Sequence, residues 1–167
     1  MFSAIITGLK LANWLNWIVA IVLTGFFALL LADAGGVRAE ILAGRGEASR
    51  EATRLYLYTV LSIVPPTAIA VHMLLTRLVA LVRDAAAGMA FTTANAVRLR
   101  MMGWALLASN IADLVYGWVS IRASEASGEY FGWSLSLTGW VAVPLLFVLA
   151  HVFREGAAMR QDLEGTV

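Results

Sequence analysis

The sequence of 167 residues contains no cysteine and only two histidines, His72 and His151. Without cysteine the chain can form neither disulfide bonds nor thiolate metal sites. The two histidines fall in different apolar stretches, and no H-E-x-x-H pattern accompanies them, so we expect neither a metal site nor a cofactor. A nucleophile elbow, a phosphate loop and a glycine fingerprint are also missing, and we therefore expect no enzymatic activity.

Charged residues are scarce as well. They make up 14% of the sequence, whereas an ordinary soluble domain carries about 25%. The net charge of +1 leaves no polybasic surface, so we expect no direct contact with nucleic acid. Hydrophobic residues account for 60%, and the mean hydropathy is +0.80. This composition is typical of an integral membrane protein with one small helical domain, which we place at residues 1–167.

Four apolar stretches are long enough to cross a bilayer, which requires about 20 residues of helix. They cover residues 11–32, 55–82, 99–121 and 133–153. The predicted fold is therefore all-α, an integral membrane four-helix bundle. Pro65, Pro66 and Pro144 predict kinks in the second and fourth spans.

The first stretch also imitates a signal peptide, because Lys10 precedes it and Ala32-Asp33-Ala34 resembles a cleavage site. Its length of about 22 residues exceeds that of a usual signal-peptide core. We therefore expect it to be retained as the first membrane span.

The lysines and arginines favour both termini in the cytosol, because basic residues are enriched in cytoplasmic segments. In this N-in, C-in topology the inner side holds seven basic residues and the outer side five. The seven are Lys10, Arg77, Arg83, Arg98, Arg100, Arg154 and Arg160.

The segments between the spans carry helix signals. Val37, Ile41 and Leu42 have helical spacing, and alternating charges predict that the second helix begins outside the membrane near Glu47. On the cytosolic side, Gly88 is expected to follow the end of that helix. Thr92 or Thr93 is expected to cap the next helix. The tail after the fourth span is predicted to continue as a cytosolic helix. On the outer side, Gly128 marks a turn in the loop 121–132.

The third span carries Asp113 and Asn110 well inside its apolar stretch. A carboxylate inside a membrane span is costly and often marks a functional site. Matching depths between spans predicts a buried polar cluster of Asp113, Asn110, Ser62 and Thr24, with His72 at its inner edge. The cluster is either a structural hydrogen-bond network or a proton or ligand site, and a contact within an oligomer is a further alternative.

Two stretches carry a family resemblance: residues 88–103 read GMAFTTANAVRLRMMG and residues 152–167 read VFREGAAMRQDLEGTV. Both resemble motifs of the bacterial inner-membrane family catalogued as domain of unknown function 2975, whose members have four helices. The positions that match are Gly88, Phe91, Asn95, Leu99, Arg100 and Gly103, followed by Phe153, Arg154, Gly156, Arg160, Asp162 and Thr166. Family members often have proline before the loop phenylalanine, where this chain has Ala90.

The resemblance implies a partner, since genes of this family often lie beside genes for small helix-turn-helix regulators. We predict a regulatory module whose cytosolic surface binds such a regulator through Phe91, Asn95, Arg98, Arg100, Arg154, Arg160 and Asp162. A helical tail would align Phe153, Gly156, Met159 and Leu163 on one side, and this stripe could instead simply cap the protein's own bundle. Other functions left open are a small oligomeric transporter or channel that uses the polar cluster, and an accessory subunit of a membrane complex.

Overall fold

The structure is a computed structural model that describes residues 2–128 and 130–164. It is all-α in this part of the chain. The helices are α1 (Phe2–Leu31), α2 (Val37–Leu42), α3 (Glu47–Ala86), α4 (Thr93–Ser127) and α5 (Leu137–Glu164), and a short 3-10 turn at Ala34–Gly36 precedes α2. Among the described helices, α1, α3, α4 and α5 are long and apolar enough to cross a membrane. The all-α fold with four long apolar helices is therefore confirmed, and the helices are compatible with a multi-pass membrane protein.

The surface of these helices is apolar, as a lipid environment requires. Trp14 is 71% exposed and Leu11 is 70% exposed on α1, and Leu145 is 61% exposed on α5. Large apolar patches of this kind are rare on soluble monomers. The buried positions are instead dominated by small side chains such as Ala105 and Ala150. Small residues at helix contacts allow the helix backbones to approach closely, which is the usual packing mode in membranes.

The helix that contains the second span begins before that span, where the charge pattern predicts. The helix α3 starts at Glu47 and contains both Pro65 and Pro66, and α2 covers the apolar residues that have helical spacing. The predicted turn at Gly128 is confirmed by a positive φ of 70°.

Two predicted boundaries are wrong in the region between α4 and α5. The segment 121–132 was expected to be a loop, but α4 continues to Ser127, and α5 begins at Leu137 rather than at Trp133. Beyond the apolar stretch, Ser124 Oγ and Ser127 Oγ each donate to the carbonyl four residues earlier in the helix. The backbone N–H of Phe131 then donates to Ser124 Oγ at 2.9 Å, which holds the following segment in a non-helical path.

The chain divides into two compact units. Unit one comprises the described residues of Met1–Asn16, Ile69–Asn110 and Ser136–Val167, and unit two comprises those of Trp17–Ala68 and Ile111–Leu135. The helices α1, α3 and α4 each contribute to both units. The single domain over residues 1–167 stays a prediction.

Candidate functional site

The family motif between α3 and α4 forms a tightly bonded loop, which we call the Phe91 loop (residues 87–92). Gly88 has a φ of 74°, a conformation that glycine adopts without strain. The N–H of Met89 donates to Asp84 O at 2.8 Å, which turns the chain back over the end of α3. At the start of α4, Thr92 Oγ1 accepts from Asn95 N–H at 3.2 Å, so Thr92 is the N-cap and that prediction is confirmed.

Asn95 holds the Phe91 loop from the inside. Its side chain is fully buried, and Asn95 Nδ2 donates to Met89 O at 3.2 Å and to Ala90 O at 3.0 Å. Asn95 Oδ1 accepts from Arg98 Nη1 at 2.6 Å. Every hydrogen-bonding group of this amide is thus directed at the protein itself. Asn95 therefore supports the loop and is not accessible as the partner contact that the sequence predicts.

Arg98 links the Phe91 loop to α3 and α4. Its Nη1 atom also forms a charge-assisted hydrogen bond with Asp84 Oδ2 at the end of α3. The ion pair is roughly 30% exposed on each side. Arg98 is thus occupied within the protein, and its partner Asp84 was missed by sequence reasoning. The available signal was that Asp84 is the only acidic residue between Glu51 and Asp113.

The last part of α5 packs on the Phe91 loop. We call residues 154–164 the tail. The rings of Phe91 and Phe153 lie with their centroids 4.9 Å apart, and a Cβ added at Gly156 would lie 2.8 Å from Phe91 Cδ1. The tail is helical, as predicted, and Phe153 and Gly156 face the loop. Met159 does not join them, since it is 63% exposed, and the side chain of Leu163 and the motif residue Thr166 lie outside the described residues.

Two cavities flank the start of α4, both within unit one. The first, which we call the tail cavity, measures about 240 Å³, and its lining includes Met89, Phe91, Ala157, Arg160 and Gln161. The second, which we call the arginine cavity, measures about 210 Å³ and lies between α4 and α5. Its lining is Thr93, Ala96, Val97, Arg100, Phe147, Ala150, His151 and Arg154.

The seven residues predicted to bind a partner are therefore divided. Asn95 is buried and Arg98 is ion-paired, whereas Phe91 and Arg160 line the tail cavity and Arg100 and Arg154 line the arginine cavity. Asp162 is exposed on the tail. The motif thus combines residues that build the loop with residues that remain accessible.

The predicted polar cluster is distributed over both units. In unit one, His72 Nδ1 lies 2.9 Å from Asn13 Oδ1, so this histidine bonds to α1. Asn110, also in unit one, packs against α5, where a Cβ added at Gly139 would lie 3.1 Å from Asn110 Cγ. The Nδ2 atom of Asn110 is buried without a hydrogen-bond partner among the described residues.

In unit two, Thr24 and Ser62 are exposed, and Ser62 Oγ donates to the carbonyl of Tyr58 one turn earlier. Asp113 is half-buried and forms no hydrogen bond or ion pair with the described residues. The gathering of all five residues in one cluster stays a prediction.

The segment that contains α2 has polar features of its own. Arg38 Nη2 lies 2.6 Å from Asp33 Oδ2. A hydrogen bond with Tyr58 and the charge of Asp33 raise the pKa of Arg38 above its usual value. An open cavity of about 560 Å³ lies nearby, and its lining is Leu42, Glu47, Arg50, Glu51, Arg54, Leu55 and Tyr58.

Comparisons with known proteins agree with the two motifs. A comparison with curated proteins and a comparison with solved structures find no match. A family model described as a protein of unknown function, DUF2975, matches residues 15–167, which include the second part of α1, the whole of α3, α4 and α5, the Phe91 loop and the tail. The chain belongs to this family, domain of unknown function 2975.

Proposed function

We propose that the protein is a non-enzymatic interaction module of the bacterial inner membrane, which binds a small cytosolic protein on the surface formed by the Phe91 loop and the tail. The observation that carries this proposal is the exposure of large apolar side chains on an otherwise well-bonded loop. Met89 and Phe91 are each 47% exposed, and Met159 on the tail is 63% exposed. These side chains lie at or beyond the ends of the apolar stretches, where lipid contact does not account for them.

The chemistry of this surface indicates the kind of partner. Arg160 lies beside the exposed apolar side chains and lines the same cavity as Met89 and Phe91. An amphipathic helix with an acidic residue near its apolar face is complementary to such a surface. A small helix-turn-helix regulator, which the family resemblance implies, would present helices of this kind. The N-in, C-in topology supported by the lysine and arginine distribution would place this surface in the cytosol.

The first experiment is gentle purification of the full-length protein from native membranes, followed by identification of the soluble proteins that accompany it. We expect one small DNA-binding protein. A double variant, Met89→Gln with Met159→Gln, should release it, because both substitutions remove apolar contact area without touching the loop's hydrogen bonds. Leu135→Gln is the matched control, since Leu135 is 49% exposed in the segment between α4 and α5, outside the proposed surface. If the double variant retained the partner as well as the control does, the proposed surface would be wrong.

A truncation after Phe153 complements these variants. It removes the tail and should abolish binding while the four apolar stretches still insert. Because the tail also packs on Phe91, the point variants are needed to separate lost contact from a disturbed loop. Asp113→Asn distinguishes the transporter alternative: we expect unchanged partner binding, whereas a proton-coupled flux in liposomes that this substitution abolishes would favour a transporter.

A further inference from the structure

We propose that the arginine cavity is a binding site for the phosphate group of an anionic phospholipid. This inference does not rest on the proposed partner surface, because the arginine cavity shares only Thr93 with the lining of the tail cavity. The lining of the arginine cavity combines basic and apolar residues: Arg100 and Arg154 contribute guanidinium groups, and Val97 and Phe147 contribute apolar surface. Basic pockets between membrane helices are typical headgroup sites.

The charge of Arg100 is uncompensated within the described part of the chain. Arg100 is exposed and forms no ion pair or hydrogen bond there. The nearby acidic groups are already occupied, since Asp84 pairs with Arg98 and Glu155 Oε1 lies 2.9 Å from His151 Nε2. A guanidinium that lines a cavity without an internal anion is suited to an external one, and guanidinium–phosphate contacts form pairs of charge-assisted hydrogen bonds.

Arg154 is held in position by its neighbour. Arg154 Nη2 lies 2.9 Å from His151 Nδ1. Because a guanidinium can only donate, His151 Nδ1 is the acceptor, and His151 Nε2 therefore carries the proton that it donates to Glu155. The row Arg154–His151–Glu155 orients the guanidinium at the cavity. An oriented arginine loses less conformational freedom when it binds a ligand.

The depth of the cavity matches a lipid headgroup. Trp104 lies one helical turn further into the apolar stretch than Arg100 and is 59% exposed. Its ring packs edge-to-face on Phe147, with centroids 5.4 Å apart and an interplanar angle of 79°. Tryptophan is enriched at the membrane–water interface. The apolar part of the cavity therefore faces the acyl chains, and the two arginines lie at the level of the phosphate.

A phospholipid fits this lining better than free phosphate does. Free phosphate would gain nothing from the apolar wall formed by Val97, Phe147 and Ala150. A zwitterionic headgroup carries an ammonium group that the arginines would repel. In an anionic lipid such as phosphatidylglycerol, the phosphate would contact the two arginines and the acyl chains would contact the apolar wall.

The test uses the full-length protein in detergent, titrated with phosphatidylglycerol, with phosphatidylcholine and with inorganic phosphate. Bound lipid is counted by native mass spectrometry, and thermal unfolding is recorded in parallel. We expect phosphatidylglycerol to be retained and to raise the unfolding temperature, and the other two to have little effect. Arg100→Gln and Arg154→Gln should each weaken phosphatidylglycerol binding about fivefold, since each removes one basic group from the headgroup level.

Arg83→Gln is the matched control, because Arg83 is an exposed arginine in the last turn of α3 that does not line the cavity. It should leave lipid binding unchanged. Arg100→Lys retains the charge and serves if Arg100→Gln fails to fold; it should retain part of the binding. The proposal is overturned if phosphatidylcholine binds as tightly as phosphatidylglycerol, if inorganic phosphate alone reproduces the stabilisation, or if the control loses as much binding as the cavity variants.

Discussion

The ring of Phe91 packs against the ring of Phe153, with their centroids 4.9 Å apart, so the two family motifs form one packed structure. Gly156 of the tail also lies against the Phe91 ring, so the tail packs on the protein's own loop, as one of the two roles expected from its sequence requires. Because Phe91 remains 47% exposed in this arrangement, the capping role leaves part of the ring accessible to a partner.

Asn95 should be the most sensitive position in the Phe91 loop. Asn95→Ala removes the donor to two loop carbonyls and the acceptor for Arg98, and all three groups would be left without that partner. We expect a loss of about 2–3 kcal/mol in the free energy of unfolding. Asn110→Ala on the same helix is the control, and it should cost less than about 1 kcal/mol because Asn110 Nδ2 has no hydrogen-bond partner to lose among the described residues. Unfolding in mixed micelles, followed by circular dichroism, measures both values; similar losses would contradict the assigned role.

A side chain at residue 156 should disturb the contact between tail and loop. A Cβ at Gly156 would lie 2.8 Å from Phe91 Cδ1, so Gly156→Ala must displace the ring. We expect a destabilisation of about 1–2 kcal/mol, recorded as a lower unfolding temperature. Gly8→Ala introduces the same methyl group into α1, where no atom lies within 4 Å, and should not destabilise. Combining Gly156→Ala with Phe91→Ala should remove the clash. If the two variants lowered the free energy of unfolding in a strictly additive way, the clash with the Phe91 ring would be contradicted.

The ion pair between Asp84 and Arg98 should show measurable coupling. A double-mutant cycle with Asp84→Asn and Arg98→Gln is expected to give a coupling energy of about 1 kcal/mol, because the pair is partly shielded from solvent. The pair Arg122–Glu125, separated by 3.8 Å and 65% exposed on each side, provides the comparison and should give a value near zero. Equal coupling in the two pairs would show that the position of Asp84 at the loop has no special effect.

Trp133 should report on unit two. Its indole ring lies directly against Gly117, and a Cβ at residue 117 would overlap the ring. Gly117→Ala should therefore push Trp133 outward and increase quenching of its fluorescence by iodide. The measurement requires a variant in which the other five of the six tryptophans are replaced by phenylalanine. Gly25→Ala, which meets no atom within 4 Å, should leave the quenching unchanged.

Sequence reasoning succeeded where the signal is local. The start of α3 at Glu47, the cap at Thr92 and the turn at Gly128 each depend on a few neighbouring residues, and each is confirmed. It failed where α4 continues to Ser127, because an apolar stretch marks the limits of a membrane span and not the end of the helix that contains it. It also assigned Asn95 to a partner surface, since a polar motif residue looks the same in sequence whether it is buried or exposed.

The sequence by itself determined the family, the all-α class and the four long apolar helices, because composition and turn residues act over short distances and can be read along the chain. Only the tertiary structure decided which motif residues build the Phe91 loop and which remain accessible. That Arg98 is paired with Asp84 while Arg100 lines a cavity depends on where α3 and α5 place their side chains. Two arginines two residues apart on one helix point in different directions, and the surrounding helices give each one its own environment.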